Sequence, residues 1–341
     1  MERWNGGTVE RWNDRTMKAI RVHETGGPEV LKLDELPDPT PGPGELLLDI
    51  EAVGVNFIEI YQREGVYPLP RPFTLGSEAA GVVRSVGARV AEFRVGDRVV
   101  SQSVKGAYAE RALVAAEHAV RIPDGVSTKV AAALCLQGMT AHYLATTTFP
   151  LSRGHTALVH AAAGGVGLLL CQIARKRGAF VIGTASTEEK RKLAHAAGAD
   201  ETIDYTTEDF AAATRRITSN IGVHVVYDSV GKSTFDKSLD SLTRRGMMVL
   251  FGQSSGSVPP FDAQILNRKG SLFLTRPKLN DYVATRDELL ARMNDLLGWV
   301  QSGKLSVRIG AEFPLEQAGD AQAALASRKT TGKVILVPSH A

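Results

Sequence analysis

The run of small residues from His160 to Gly167 places the strongest constraint on how this chain can fold. It reads His-Ala-Ala-Ala-Gly-Gly-Val-Gly and lies between an apolar strand pattern, 156–160, and a helical pattern that opens at Leu168. Small residues let backbone N–H groups at the positive end of a helix approach a diphosphate, which is how proteins hold dinucleotides. The run therefore predicts a strand, a tight turn and a helix that together bind a nicotinamide cofactor.

The surroundings of this run decide how much weight the motif carries. In the Gly-x-Gly-x-x-Gly spacing the three special positions fall on Ala162, Gly164 and Gly167, with Gly165 as an additional glycine. A single match of this kind can reflect tight packing between a strand and a helix alone. Strand and helix patterns alternate, however, over 156–274, and such alternation is typical of a doubly wound parallel sheet. We therefore favour the binding interpretation.

The end of the second strand in this unit indicates which dinucleotide is bound. A carboxylate there would accept the 2′-hydroxyl of NAD, but the chain has Gly183-Thr184-Ala185-Ser186, followed by Lys190. Ser186 and Lys190 can neutralise a 2′-phosphate instead. The alternative is that Lys190, Arg191 and Lys192 form only a solvated helix face. We favour the phosphate interpretation, and with it NADPH.

The rest of the chain predicts a second domain of different texture. Residues 17–123 contain short apolar or alternating runs cut by glycine and proline, a pattern typical of a mostly antiparallel β-rich domain. The tail has no second nucleotide motif and ends in a strand pattern, Lys333 to Val337. We predict that it completes the β-rich domain, which then comprises 17–140 and 281–341. The Rossmann domain occupies 141–280.

Residues 1–16 stand apart from both domains. They form two near-identical octads, Glu2 to Val9 and Glu10 to Met17, with neither helical nor strand periodicity. We interpret 1–16 as a non-native or disordered N-terminal extension and Met17 as the natural start.

Composition narrows the class of protein further. The net charge of +3 is spread over 40 basic and 37 acidic residues, so a nucleic-acid partner is not indicated. The chain has neither an apolar run of about 20 residues nor an apolar signal core, which predicts no membrane association and a cytoplasmic location. Its two cysteines, Cys135 and Cys171, are too few for a disulfide framework or a thiolate zinc site.

Several stretches, in order along the chain, resemble the zeta-crystallin-like quinone oxidoreductases, a zinc-free branch of the medium-chain dehydrogenase/reductase superfamily. The stretches are Gly26-Gly27-Pro28-Glu29-Val30-Leu31, Gly54-Val55-Asn56-Phe57-Ile58, Gly65-Val66-Tyr67-Pro68, Gly96-Asp97-Arg98-Val99, the run at 160–167, Tyr227-Asp228-Ser229-Val230-Gly231 and Phe251-Gly252-Gln253-Ser254-Ser255-Gly256. The resemblance covers about Met17 to Pro338. It implies an α/β fold in which a doubly wound parallel Rossmann sheet is joined to a discontinuous, β-rich, GroES-like catalytic domain.

Zinc branches of that superfamily differ at two positions. They carry a cysteine ligand where this chain has Asn56, and a histidine where it has Ser77 within Gly76-Ser77-Glu78. A catalytic zinc needs about three protein ligands of the N, S or O type. We therefore expect no metal.

The resemblance also implies which residues form the site. The expected catalytic set is Asn56, Tyr61, Tyr67 and Thr140. The expected cofactor-binding set is Asn56, Phe57, Ile58, Glu59, Ile60, Tyr61, Thr140, Tyr143, Gly164, Gly165, Val166, Gly167, Ser186, Lys190, Tyr205, Val230, Gly252, Gln253, Ser254, Ser255, Phe273, Leu274, Thr275 and Arg328. Glu59 departs from the family, whose members often carry aspartate there.

Structural interpretations of several of these residues stay open beside the functional ones. Tyr61 and Tyr67 could be packed aromatics, and Asn56 could cap a helix that begins at Phe57. We expect His142 and His160 to be structural. Asp228 is expected to hold a turn at a strand end.

The resemblance implies an NADPH-dependent quinone reductase that transfers hydride to a quinone without a metal. One alternative is an NADPH-dependent reductase of α,β-unsaturated carbonyls. Another, of a different class, is an NADPH-binding or nucleic-acid-binding protein without turnover. Ser271 to Leu274, a candidate edge strand, predicts a homodimer in which the sheet continues across a two-fold axis.

Overall fold

The computed structural model describes residues 16–339, so the predicted extension lies outside the described residues except for Thr16, which begins the first strand. The strands are β1 (Thr16–Val22), β2 (Leu31–Pro37), β3 (Glu45–Val55), β4 (Phe73–Thr74), β5 (Ala79–Val86), β6 (Arg98–Ser101), β7 (Arg111–Ala115), β8 (Val120–Arg121), β9 (Thr156–Val159), β10 (Phe180–Ala185), β11 (Glu201–Asp204), β12 (Val223–Asp228), β13 (Leu242–Leu250), β14 (Phe273–Thr275), β15 (Ile309–Pro314) and β16 (Lys333–Val337).

The helices lie between these strands. They are α1 (Phe57–Arg63), α2 (Thr128–Tyr143), α3 (Gly165–Lys176), α4 (Glu188–Ala196), α5 (Phe210–Ile217), α6 (Phe235–Ser241), α7 (Gln264–Arg268), α8 (Arg286–Gln301) and α9 (Ala318–Ala326). A π-helix, Leu144–Thr148, continues α2, and short 3-10 segments occupy Pro28–Val30, Ala116–His118, Leu279–Tyr282 and Leu315–Gln317.

Six parallel strands form the predicted doubly wound sheet. Their order is β11, β10, β9, β12, β13, β14, and every neighbouring pair is parallel. The strand order reverses between β9 and β12. Ligands of such sheets bind outside the carboxyl ends of the strands near that reversal, and here the turn of small residues follows β9 at this edge.

The other half of the molecule is built on antiparallel strands from both ends of the chain. A seven-stranded sheet has the order β15, β16, β3, β5, β6, β8, with β7 paired to β3. Only β15 and β16 run parallel within it. The C-terminal strand β16 thus lies beside β3 from the first part of the chain. A smaller sheet joins β2, β1 and β4.

One large apolar core joins the two halves. Leu134 and Met139 of α2, Leu170 of α3, and Met293 and Leu296 of α8 are buried together in it. Helix α2 packs against β3, β5 and β6 of the β-rich sheet and against α3 of the other half, and the predicted domain boundary between residues 140 and 141 falls inside this helix. Two further clusters fill the β-rich sheet and the far face of the parallel sheet.

One helix begins earlier, and one strand begins later, than the sequence pattern predicts. The helix after the small-residue run starts at Gly165, because Gly164 is extended and serves as the N-cap. The short apolar run from Tyr108 to Val114 predicts a strand over those residues, but β7 starts at Arg111. The reason is that Tyr108 bonds elsewhere, accepting from Ile20 N–H and donating its own N–H to Leu75. Neither shift moves the site.

Gly167 is the position where the close approach of strand and helix leaves no room for a side chain. A Cβ atom there would lie 2.3 Å from the Ala161 carbonyl oxygen and 2.8 Å from Ala162 Cα. Both contacts are with backbone, which cannot rotate away. The third special position of the motif therefore needs glycine for packing, whatever else the turn binds.

We expect Gly167→Ala to lower the free energy of unfolding by roughly 1–3 kcal/mol, since relief of the clash must shift the backbone. Gly298→Ala in α8 is the matched control, because its Cβ would meet nothing within 4 Å. Alanine there is expected to leave stability unchanged or raise it by up to about 1 kcal/mol. Urea unfolding of both variants measures the difference, and equal effects would contradict the packing argument.

Candidate cofactor and substrate site

The turn between β9 and α3, at the carboxyl end of the parallel sheet, exposes backbone rather than long side chains. Gly164, Gly165, Val166 and Gly167, all predicted cofactor residues, form the turn and the first turn of α3. The N–H groups at a helix start have no partner within the helix and carry partial positive charge. The turn also contacts the C-terminal tail, where Gly332 N–H donates to the Ala163 carbonyl at 3.0 Å. The arrangement suits a diphosphate.

A cavity of about 520 Å³ opens beyond the end of β10, and both halves of the chain line it. It brings together the four residues predicted for the adenosine phosphate: Ser186, Lys190, Tyr205 and Arg328. The lining is completed by Thr187, Glu189, Ser327, Lys329 and Thr331. We call this cavity the phosphate pocket.

Hydrogen bonds hold the two sides of the phosphate pocket together. Lys190 Nζ donates to the Arg328 carbonyl at 2.5 Å, and the Arg328 guanidinium donates to the Ser254 carbonyl at 2.7 Å. Partial burial lowers the pKa of Lys190. Two cations around an open cavity fit a dianionic 2′-phosphate, whose oxygens would accept charge-assisted hydrogen bonds from them. The residues present therefore fit NADPH.

Sequence reasoning missed five members of this pocket: Thr187, Glu189, Ser327, Lys329 and Thr331. Lys329 and Thr331 follow Arg328 in the tail, and the Arg-Lys pair after a helix was the available signal. Glu189 carried no signal in the sequence, yet it lines the pocket. Its own backbone N–H and the Thr187 hydroxyl lower the pKa of Glu189, so the carboxylate stays ionised beside the cations.

Helix α1 divides the predicted residues 57–61 between two faces. Phe57, Ile58 and Tyr61 are partly or largely exposed, whereas Glu59 and Ile60 are buried. The side chains of Glu59 and Ile60 point into the protein, and their expected place beside the cofactor stays a prediction. The helical repeat turns these two positions into the domain core.

Two groups of aromatic rings contain predicted site residues. Tyr61 and Tyr67 meet edge to face with ring centroids 5.7 Å apart, and the ring of Phe57 lies 6.2 Å from that of Tyr61. In the second group, Tyr143 of α2 stacks on Tyr282 at 4.1 Å. Tyr282 was not predicted. Tyr143 is only 2% exposed under that ring, and its contact with the cofactor stays a prediction.

A buried ionic network lies beneath α1. Lys333 Nζ of β16 is 2.6 Å from Glu78 Oε2 and 2.7 Å from Asn56 Oδ1. The other oxygen of Glu78 accepts from the Leu136 N–H of α2 at 2.5 Å. Lys333 and Glu78 are 1% and 0% exposed. Gly54 makes room for them, since a Cβ there would lie 2.0 Å from Glu78.

This network limits what Asn56 can do. An ammonium group only donates hydrogen bonds, so the side-chain amide of Asn56 turns its Oδ1 atom towards Lys333. Asn56 Nδ2 then donates to the Gly54 carbonyl at 3.1 Å and to Glu78 at 3.0 Å. Asn56 also precedes α1 as its N-cap residue, as its capping interpretation predicts. Both amide protons are used inside the domain, so the predicted catalytic role of Asn56 cannot be proton donation.

The hydroxyl group of Thr140 is also already hydrogen-bonded within the protein. Its hydroxyl donates to the Leu136 carbonyl, one turn earlier in α2, at 2.7 Å, and the residue is only 8% exposed. A hydroxyl bonded back to its own helix has lone pairs to offer but no proton. Of the predicted catalytic set, Tyr61 and Tyr67 have hydroxyl groups that form no hydrogen bond with residues 16–339 and can donate to a ligand.

The remaining predicted cofactor residues follow the carboxyl ends of the neighbouring strands. Ser255 Oγ donates to the Val230 carbonyl at 2.7 Å and joins the loops after β12 and β13. Gly252 needs to be small, because its Cβ would lie 2.5 Å from the Ser229 carbonyl oxygen. The same loops hold Gln253 and Ser254, and β14 carries Phe273, Leu274 and Thr275.

The structural interpretations of three polar residues are confirmed. Asp228 accepts from the Val230 and Gly231 N–H groups and from the Thr234 and Ser238 hydroxyls, and so holds the turn after β12. His160 is buried, with hydrogen bonds to Thr184 and Ser238. His142 bonds to Asp295 at 3.1 Å, on the side of α2 that packs against α8.

Between residues 16 and 339 no three His, Cys, Asp or Glu side chains are grouped so that they could hold a metal ion. Asn56 and Ser77 occupy the two positions where the zinc branches of the superfamily carry their cysteine and histidine ligands. In the same span of chain, no helix combines the length and the apolar character needed to cross a membrane.

Comparison with known proteins shows which families and relatives this chain is similar to. The family described as "Alcohol dehydrogenase GroES-like domain" matches residues 42–124, and the family described as "Zinc-binding dehydrogenase" matches residues 165–286. The quinone oxidoreductase of Pseudomonas aeruginosa is 45% identical over 323 residues, which cover 94% of this chain and 99% of that protein. The 2-haloacrylate reductase of a Burkholderia species is 41% identical, with 94% and 98% covered.

A solved structure agrees with these sequence matches. The quinone oxidoreductase of Escherichia coli, in a structure described as complexed with NADPH, superposes with a TM-score of 0.92. The identity is 43%, and the alignment covers 94% of this chain and 100% of that one. Fold and site thus define a two-domain reductase of the medium-chain dehydrogenase/reductase superfamily. Within that superfamily, the chain belongs to the quinone oxidoreductase family.

The buried Glu59 generates a prediction about stability. Burial raises the pKa of Glu59 to about 8, although Lys333 and the Asn56 N–H oppose the shift. The native state then keeps a proton that the unfolded chain releases above about pH 4.5. The free energy of unfolding should fall as the pH rises towards 8, by up to about 1.4 kcal/mol per pH unit.

Glu59→Gln should remove this loss, since glutamine mimics the protonated acid and can still accept from Asn56. Urea unfolding at pH 6 and pH 9 measures the effect. Glu24→Gln, at an exposed position, is the control and should keep the wild-type pH dependence. An unchanged pH slope in Glu59→Gln would contradict a protonated Glu59.

Proposed function

We propose that the protein reduces quinones by hydride transfer from NADPH, without a metal. The observation that carries the proposal is the phosphate pocket, where Lys190 and Arg328 face a cavity at the end of β10 and Ser186 replaces the carboxylate of NAD-binding proteins. The names of the relatives, quinone oxidoreductases of P. aeruginosa and E. coli, support the acceptor.

The chain's own residues perform the binding and the positioning. NADPH supplies the hydride when bound, and the glycine turn and the phosphate pocket hold its two phosphate regions. The aromatic cleft of Tyr61, Tyr67 and Phe57 orients a planar acceptor and excludes water, so that donor and acceptor can reach near-attack distance. Burial and the neighbouring Tyr67 raise the pKa of Tyr61, so its hydroxyl stays protonated. It can donate a hydrogen bond to the oxygen on which negative charge develops.

The ionic network supports chemistry without a metal. The ammonium of Lys333 already places a positive charge between Asn56 and Glu78. A second cation at that position would be repelled, and the Asn56 amide and the Ser77 hydroxyl are poor substitutes for Cys and His ligands. A quinone is itself a good electron acceptor and needs no Lewis acid.

Reduction of an α,β-unsaturated carbonyl compound is the second candidate. The 41% identical relative named 2-haloacrylate reductase favours it, because a conjugated acid can be reduced by hydride from the same donor. The cofactor apparatus would be identical, and only the cleft would differ.

We also propose a homodimer and a cytoplasmic location. Strand β14 is the edge of the parallel sheet, and Phe273 on it is 57% exposed. A second copy that paired along β14 would continue the sheet and cover this ring. Cys135 and Cys171 are both free and buried, which suits reducing surroundings.

A screen of NADPH oxidation with 1,4-benzoquinone and with conjugated enals, each repeated with NADH, tests the proposed activity. We expect saturable oxidation of NADPH by the quinone and much weaker oxidation of NADH. Turnover with enals alone would favour the second candidate. Absence of turnover with every acceptor would reject both.

Lys190→Ala tests the cofactor assignment. We expect the KM for NADPH to rise at least about tenfold and the KM for NADH to change little, because only NADPH carries the 2′-phosphate. Lys192→Ala is the control on the same helix. Lys192 is 73% exposed and pairs with Glu188, outside the pocket. Equal changes for the two cofactors in Lys190→Ala would count against the pocket.

A further inference from the structure

The phosphate pocket contains one anionic side chain among its cations. Glu189 lines the cavity together with Lys190, Arg328 and Lys329. Its own backbone N–H and the Thr187 hydroxyl hold the pKa of Glu189 below its usual range, so the side chain is negatively charged at neutral pH. In a cavity that binds a dianionic phosphate this charge opposes binding, because a carboxylate repels phosphate oxygens. The presence of Glu189 therefore needs an explanation other than phosphate binding.

The cations of the pocket leave the carboxylate of Glu189 unpaired. Lys190 Nζ donates to the Arg328 carbonyl at 2.5 Å, and the guanidinium of Arg328 donates to the Ser254 carbonyl at 2.7 Å. Within the part of the chain that the structure describes, Glu189 forms no ion pair. A carboxylate has about four acceptor positions, and the Thr187 hydroxyl and one backbone N–H occupy only part of them. The remaining positions are available to a hydrogen-bond donor on a ligand.

The start of α4 fixes where this carboxylate lies. Glu189 is in the first turn of α4, whose N-cap residue Thr187 accepts from the Lys190 N–H at 3.3 Å. Ser186 and Thr187 precede the helix, follow β10 directly and line the same cavity. In nicotinamide-binding sheets, a carboxylate at the end of this strand accepts the ribose 2′-hydroxyl of NAD. Here the strand end has Ser186, and the carboxylate is supplied from the adjoining helical turn.

We propose that Glu189 sets the cofactor preference of this protein: its carboxylate accepts a hydrogen bond from the ribose 2′-hydroxyl of NADH and repels the 2′-phosphate of NADPH. Lys190 and Arg328 attract that phosphate, so the pocket holds partners for both cofactors. NADPH is preferred, and NADH is used as well. The inference rests on the proposed function, because it assigns a specificity-determining residue to the same phosphate pocket.

Binding of the oxidised cofactors, without turnover, tests the proposal. Calorimetry gives the Kd of NADP⁺ and of NAD⁺ for the wild type and for Glu189→Gln, which keeps the shape of the side chain and removes its charge. We expect the Kd of NADP⁺ to fall about threefold, because a repulsion is lost. The Kd of NAD⁺ should rise about threefold, because a charge-assisted hydrogen bond becomes a neutral one. The gain for NADP⁺ should shrink as the salt concentration rises.

Glu188→Gln is the matched control. Glu188 precedes Glu189 on α4, but it pairs with Lys192 at 2.7 Å and is not among the residues that line the pocket. Its substitution removes the same charge from the same helical turn and should change both Kd values much less. Equal effects of the two substitutions would show that only the net charge of the helix matters, and would overturn the proposal.

The other outcomes are equally decisive. Unchanged Kd values in Glu189→Gln, weaker binding of NADP⁺, or changes of the same sign for both cofactors would overturn the role of Glu189. Lys190→Ala in the same series separates this failure from a failure of the pocket, since an unchanged Kd of NADP⁺ there would reject the phosphate pocket and the inference together. A lack of NADPH oxidation with every acceptor rejects the proposed activity alone, because the binding series contains no acceptor.

Discussion

The buried pair of Lys333 and Glu78 is the interaction on which the β-rich half and the cleft depend. It joins β16 to Glu78, the residue before β5, and through Glu78 it also reaches the backbone of α2. Removing two charges from water is costly, and a pair of this kind is stable only when its remaining groups are bonded. Asn56 and the Leu136 N–H provide those bonds, so the network holds in one place the start of α1, the middle of α2 and β16.

The cleft follows from this arrangement. With Asn56 held by Lys333, α1 starts at a defined point and its helical repeat turns Tyr61 outward while it buries Glu59. The C-terminal tail that carries Lys333 also carries Arg328 and Gly332, which bond to Ser254 and Ala163 of the parallel-sheet half. The walls of the cofactor site are therefore contributed by distant parts of the chain. The same tail connects the ionic network to the phosphate pocket.

Local patterns predicted the parts of the structure that depend on neighbouring residues. The alternation of strands and helices, the turn after β9, the helix start at Asn56 and the strand-end role of Asp228 all follow from short-range chemistry, and the structure has each of them. Ser186, Lys190, Tyr205 and Arg328 do meet in one pocket, but that grouping came from a family resemblance and not from their spacing. Tyr282 and Glu189 carried no motif, and their side chains acquire a role only through what packs beside them.

The sequence by itself determined the class of fold and the kind of cofactor turn, because hydrophobic period and glycine position act over a few residues. Only the tertiary structure decided which side chains are free to act. The N–H groups of the Asn56 amide donate to Glu78 and Gly54, and the Thr140 hydroxyl donates to Leu136, so neither side chain has a donor left for a ligand. Hydrogen-bond partners that are tens to hundreds of residues apart, such as Asn56 and Lys333, are brought together by the packing of the sheets, and no local pattern records that packing.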